Sequence, residues 1–225
     1  TPYSRLLPTN YSATSSSAGT WTSTTGSSLS ISTNGKPLFS ASSGKSWGAT
    51  ATFPTLSGTI NDGIRLNNPT LPSYTLCAVA RYKDWGTVAG TQRRVIGSSN
   101  ANWISGFHTG YMNRFHHTNG YNATGVVADM NWHYYCDAGN KAIWDGVKNS
   151  SWTAQATYSL PAVSIGWDSS GESSDWELAE LIIYDQPLSD SQIQQVSRYF
   201  RNTYGIIGGE STTAAALISS TTNYP

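Results

Sequence analysis

Short runs of β-branched and aromatic residues alternate with polar positions along this chain, and clusters of Gly, Asn and Pro separate them. The clearest are GTINDGIRLNN (58–68), SYTLCAVARY (73–82), QRRVIGSS (92–99), NWISGFHTG (102–110), YMNRFHHT (111–118), NWHYYCDAG (131–139) and KAIWDGVKNS (141–150). Runs of this length and period predict strands, and their regular spacing predicts an antiparallel sandwich. Asp145-Gly146 predicts a tight hairpin, because both central positions of such a turn need positive φ. No repeat of solenoid or propeller period interrupts the pattern.

One segment, PLSDSQIQQVSRYFRNTYG (187–205), changes period from two to 3.6. Ser189 with Gln192 three residues on forms a capping box, and Leu188 with Ile193 forms the staple that fixes the entry of the chain. Ile193, Val196, Phe200 and Tyr204 then share one face, Asp190 complements the helix N-terminus, and Gly205 supplies the stop. The segment predicts one amphipathic helix, about Asp190 to Tyr204, lying on the sandwich.

Composition narrows the function classes. Charged residues make up 12% of the 225, and the thirteen basic and thirteen acidic residues cancel, so clustered cationic binding of nucleic acid is not expected. No apolar stretch reaches the ~20 residues needed for a spanning helix, so membrane insertion is not expected either. A near-neutral surface lacks the self-repulsion that keeps copies apart. Three acceptor patterns for N-glycosylation, at Asn10, Asn122 and Asn149, together with the Ser/Thr-rich composition favour an extracellular or cell-surface setting. Cys77 and Cys136 each fall inside a predicted strand. They either bridge, if the strands are neighbours, or stay as two buried thiols.

A strand WELAELIIYD followed by QPLSDSQIQQVSRYFRNTYGI resembles the closing strand and terminal helix of laminin-G-like jelly rolls in the concanavalin A-like lectin/glucanase superfamily. The earlier SYTLCAVARY, NWHYYCDAG and IWDGV come in the order that family uses. The resemblance implies an all-β, two-sheet antiparallel jelly-roll sandwich with one short C-terminal helix and extended terminal segments. It places an N-terminal extension at 1–19, the sandwich at 20–207 and a C-terminal tail at 208–225, which is expected to act as an exchanged strand.

Hydrolases of that superfamily set acids two apart on one strand, but Glu172, Asp175 and Glu177 are spaced three then two, which breaks the register. No catalytic residue is assigned, and the chain is not expected to be an enzyme. Glu172 and Asp175 are read as a solvated loop and Glu177 as a solvent-facing residue on an edge strand. The same loop could hold calcium through Asp168, Glu172 and Asp175, as in many relatives; no other cofactor is expected. Adjacent His116 and His117 point to opposite faces of a strand and form no metal cluster. Trp85, Trp103, Tyr111, Tyr121 and Trp167 lie near turns and are the candidates for stacking on sugars. Apolar patches at Leu6-Leu7 and at Ala214, Ala216, Leu217 and Ile218 are the candidates for assembly. The expectation is an extracellular structural subunit that assembles with copies of itself through exchanged termini. The alternative is a lectin or adhesin module binding extracellular glycans, and a glycan hydrolase comes third.

Overall fold

The computed structural model describes residues 1–13, 19–35, 37–40, 47–83, 92–117, 120–122, 125–139, 141–148, 159–167 and 171–207. Their strands are, in chain order, β1 (Ser4–Ala13), β2 (Gly19–Gly26), β3 (Leu29–Asn34), β4 (Leu38–Ser40), β5 (Thr55–Gly58), β6 (Gly63–Leu66), β7 (Thr75–Arg81), β8 (Ile96–Ser98) and β9 (Ile104–His108). They continue with β10 (Tyr111–His117), β11 (Gly120–Asn122), β12 (Val126–Val127), β13 (His133–Asp137), β14 (Ala142–Trp144), β15 (Val147–Lys148), β16 (Val163–Ile165) and β17 (Trp176–Tyr184), before the helix α1 (Asp190–Tyr204).

All pairings between these strands are antiparallel, and they form two layers. The back layer runs β4–β5–β17–β7–β13–β14–β15. The front layer runs β2–β3–β6–β16–β8–β9–β10, with β11 and β12 on its far edge. Between them lies an apolar core that includes Trp21, Leu56, Leu76, Phe107, Tyr135, Trp176 and Leu181. The structure is the expected all-β sandwich with one C-terminal helix. Among the described residues no helix is long and apolar enough to cross a membrane.

The N-terminal stretch corrects one expectation. Residues 4–13 are not an extension outside the sandwich but its first strand, because Ser4–Leu6 pair with β17 and Tyr11–Ala13 pair with β2. β1 therefore joins the two layers. Leu6 is wholly buried in the interlayer core, so it cannot serve as an assembly contact; Leu7 is half-buried, and its carbonyl accepts the Trp21 indole N–H at 2.7 Å. The other assembly candidates, Ala214, Ala216, Leu217 and Ile218, lie outside the described residues, as does the tail from 208.

A second apolar cluster covers the outer face of the back layer, where α1 packs Ile193, Val196, Phe200 and Tyr204 against Val79, Tyr134 and Ile182. The helix begins with the capping box at Ser189 and Gln192 and ends at Gly205, whose φ of 64° is left-handed. A side chain there would also collide with the Thr50 hydroxyl, so that position requires glycine. Beneath the helix Cys77 and Cys136, directly opposed in the β7–β13 register, are joined by a disulfide. It encloses a sequence separation of 59 residues, and closing such a loop is worth about 4 kcal/mol in the chain-entropy account.

One register shift in β17 bears on everything near it. Between Leu178 and Glu180 the pairing with β7 slips by a residue. Leu178 and Leu181 both face the interlayer core, while Ala179 and Glu180 both face the helix. The bulge thus puts a carboxylate where alternation alone would not leave it.

Phe200 is 0% exposed beneath the helix, so Phe200→Ala should lower the unfolding free energy by about 3–5 kcal/mol. Denaturant unfolding with the disulfide intact measures it, and a change near zero would mean that the face of α1 contributes little.

Candidate functional site

Strand register brings a set of polar and aromatic residues to one end of the sandwich. In the back layer Arg81 at the end of β7 opposes Glu177 near the start of β17, and neighbouring Ala80 opposes His133 at the start of β13. The front layer meets them there through Phe107 near the end of β9, whose ring centroid is 5.1 Å from Tyr82 and 5.2 Å from Trp144.

On the outer side of this end Arg81 is held between two indoles. Its guanidinium carbon lies 5.3 Å from the ring centre of Trp47 and 5.3 Å from that of Trp132, within cation–π range. Its Nε donates to Glu177 at 2.6 Å and its Nη1 to the Met130 carbonyl at 3.1 Å. Glu177, expected on an edge strand facing solvent, is instead buried on a central strand, where Arg81 compensates its charge.

Trp132 is buried, but Trp47 is 49% exposed. Trp47 also has a φ of 55°, a conformation that bulky residues adopt only when their surroundings hold them there. Its carbonyl accepts the Trp132 N–H at 2.7 Å. Next to it Gly48, φ 81°, lies under Asn131, leaving 3.2 Å between the Asn131 Cβ and the place a Cβ on Gly48 would take.

Beside Asn131 stands a histidine between two carboxylates. His133 Nε2 is 2.9 Å from Asp129 Oδ1, and His133 Nδ1 is 2.6 Å from Asp145 Oδ2. Burial alone would lower the imidazole; the hydrogen bonds and charges of the two carboxylates outweigh it and raise the ring to about 9. The same contact, led by the bond from His133, lowers Asp129 to about 2. Asp129 also accepts from the Asn131 N–H at 2.7 Å and the Asn131 Nδ2 at 2.8 Å, and its side chain stays 46% exposed. Asp145 reaches inward from the hairpin the sequence predicts, its φ of 47° followed by Gly146 at 83°, and it accepts the Tyr134 N–H at 3.0 Å.

The remaining acids at this end do not converge. Glu172 pairs with Arg94, and its other oxygen lies 3.5 Å from His108 Nε2; burial nevertheless keeps the His108 imidazole below its ordinary value. Asp175 accepts the Ile60 N–H at 2.9 Å. The calcium reading put Asp168, Glu172 and Asp175 together, but Asp168 lies outside the described residues and Glu172 is occupied by an arginine. Among the described residues no three His, Cys, Asp or Glu side chains are grouped to hold a metal.

The aromatic candidates are dispersed. Trp103 is buried at the opposite end, contrary to its expected place on the rim: its indole N–H donates to Tyr74 Oη at 3.0 Å, and its ring stacks on His117, which is 2.9 Å from Asp137. It cannot stack on a ligand. Tyr111 sits half-buried at the rim beneath the Arg114 guanidinium, 4.3 Å from the ring centre. Trp167 is also half-buried, packed against Gly63. Trp85 lies outside the described residues, and of Tyr121 only the backbone is described, opposite His116 in β11. Asn10 is half-buried on β1; of Asn122 only the backbone is described, and Asn149 lies outside the described residues.

No model of a protein family matches the chain, and no curated protein sequence does. Many solved structures match its fold. The receptor binding domain of botulinum neurotoxin C/D mosaic serotype aligns with a TM-score of 0.58 at 12% identity, over 88% of this chain and 51% of that one. The binding domain of botulinum neurotoxin serotype D gives 0.56 at 14%, over 87% and 51%. Trypanosoma rangeli sialidase, in its covalent complex with 2,3-difluorosialic acid, gives 0.56 at 13%, over 92% and 34%. The chain therefore spans about half of the toxin chains and about a third of the sialidase chain. At such identities the likeness is one of fold, a β-sandwich found in both binding domains and enzymes.

The His133 pairings make stability depend on pH. A ring raised to about 9 from an unfolded value of about 6.5 stabilises fully below pH ~6.5, and the contribution is lost as pH rises through about 9. Asp129, lowered to about 2, sets the acid limit of the same interaction, which is lost as pH falls below ~4 toward 2. Unfolding free energies between pH 6 and 10 should fall by on the order of 3 kcal/mol more in the wild type than in His133→Gln. Parallel profiles for the two would show that the ring is not held as described.

Proposed function

We propose that this chain is a carbohydrate-recognition module, a lectin or adhesin domain of laminin-G-like kind that works outside the cell. The observation that carries the reading is Trp47: a half-exposed indole, fixed in a strained backbone conformation and backed by a neutralised arginine, with Asn131 over the adjoining Gly48 and Asp129 bound to Asn131. An aromatic face can lie on the apolar side of a sugar ring while fixed acceptors take its hydroxyls. Support from fold comes from similar structures that include a toxin's receptor-binding domain and a sialidase solved with sialic acid. The disulfide fits an oxidising compartment. The zero formal charge does not favour nucleic acid or anionic membrane as partners. No hydrolytic role is assigned, because Glu177 and Asp175 are each bound to other groups.

On an immobilised glycan array the wild-type chain should bind and Trp47→Ala should lose roughly tenfold or more, the loss typical of a removed aromatic anchor. Undiminished binding by Trp47→Ala, with the fold intact, would remove this site from the reading.

A second reading, assembly with copies of itself, is favoured by β4. Among the described residues this strand pairs only with β5, and it exposes Leu38 by 63% and Phe39 by 50% on an edge that no described strand covers, the kind of edge that accepts an added strand. In this reading β4 receives the tail segment containing Ala214, Ala216, Leu217 and Ile218 from a neighbour. The wild type would then sediment as an oligomer and Phe39→Lys as a monomer; a wild type that stays monomeric at micromolar concentration dismisses it.

A further inference from the structure

We infer that the Trp47 site selects non-acidic sugars, neutral or amino, and turns away glycans that carry carboxylate or sulfate groups. The inference rests on the carbohydrate reading and adds the chemical class of its ligand.

The argument is one of charge and of donors already engaged. An acidic sugar needs a cation with free N–H groups, usually an arginine fork. Arg81 is the cation under Trp47, but its Nε and Nη2 meet Glu177 and its Nη1 is directed to the Met130 carbonyl. It can polarise the indole, yet its fork is already closed on a carboxylate. Protonated His133 likewise has both nitrogens engaged, one by Asp129 and one by Asp145. Among these five groups Arg81 cancels Glu177, and His133 cancels one of its two carboxylates, so one negative charge is left over. It falls at the surface on the exposed side, at Asp129, whose carboxylate is held by three donors from Asn131 and His133.

Fixed acceptors also state what they accept. Asn131 uses its Nδ2 on Asp129 and keeps its carbonyl oxygen over Gly48. The groups next to the indole thus offer oxygens to hydrogen-bond donors, which suits sugar hydroxyls and ammonium groups. A ligand carboxylate would meet the Asp129 carboxylate, and the donors of Arg81 and His133 are already engaged elsewhere.

The test is an array of neutral glycans matched with their sialylated and uronate-bearing counterparts, with chitosan oligomers for the amino class, read at low ionic strength. Wild-type protein should bind a neutral or amino glycan and bind its acidic counterpart roughly tenfold more weakly. Asp129→Asn, nearly identical in shape, should bring the acidic counterpart up to about the affinity of the neutral one, while Trp47→Ala should weaken both together. Equal or tighter binding of acidic glycans by the wild type, or a preference that survives Asp129→Asn, overturns the charge inference and leaves the carbohydrate reading standing. Absence of binding to every glycan overturns both. Thermal melts of each variant with the disulfide intact separate loss of binding from loss of fold.

Discussion

A single buried carboxylate ties the first strand to the helix. Glu180 is fully buried on the central strand of the back layer, where the bulge in β17 turns it under the helix. Arg5 of the first strand donates to it at 2.6 Å, and the Tyr199 and Tyr204 hydroxyls of the helix donate at 2.9 and 2.5 Å. A charge in that place without partners would be strongly destabilising, whereas a fully bonded one is tolerated. Strand β1, strand β17 and helix α1 consequently have one relative arrangement in which all of these donors reach the same two oxygens. The apolar contacts around them could be satisfied by several packings; the carboxylate cannot.

The same logic extends to both ends of the sandwich. At one end His133 sits between Asp129 and Asp145, and at the other His117 meets Asp137, Tyr74 and the Gly139 carbonyl. A chain with so few charges places many of them in such clusters, and Arg81 with Glu177 is a further case. Ions bonded to one another offer little to a ligand. In the carbohydrate reading proposed above, recognition rests instead on aromatic faces and fixed neutral or acidic acceptors, such as Trp47, Asn131 and Asp129.

The strands and the helix were legible because their signals are local. Apolar alternation marks β7 and β13, Asp145-Gly146 marks the turn after β14, and Ser189, Gln192 and Gly205 mark the limits of α1. The first strand is hard to read because its buried positions are Ser4, Leu6 and Pro8, of which only Leu6 resembles a core residue. Glu177 looked solvent-facing because nothing near it in sequence reveals Arg81 as its partner. Trp103 lies close to a turn, as expected, but its ring turns inward against Tyr74 and His117. Trp47 carries no local signal: it stands alone in a Gly- and Ser-rich stretch, and the guanidinium that backs it is supplied by a distant strand. Asp129 and His133, four residues apart, carried the one local hint of the site.

The position of β1 has a consequence for how the protein comes into being. Arg5 is paired with Ile182 across the sheet, so the pairing of β1 with β17, unlike its local pairing with β2, cannot form until residues 5 to 182 are all present. Contacts this remote in sequence make for slow folding, since a long loop must close before any of its contacts can form. β1 can pair with β2 as soon as both exist, but its second partner arrives only with β17. The link that β1 makes between the two layers is therefore completed late, after β17 has taken its place beside β7, and until then the sandwich stays open along that side.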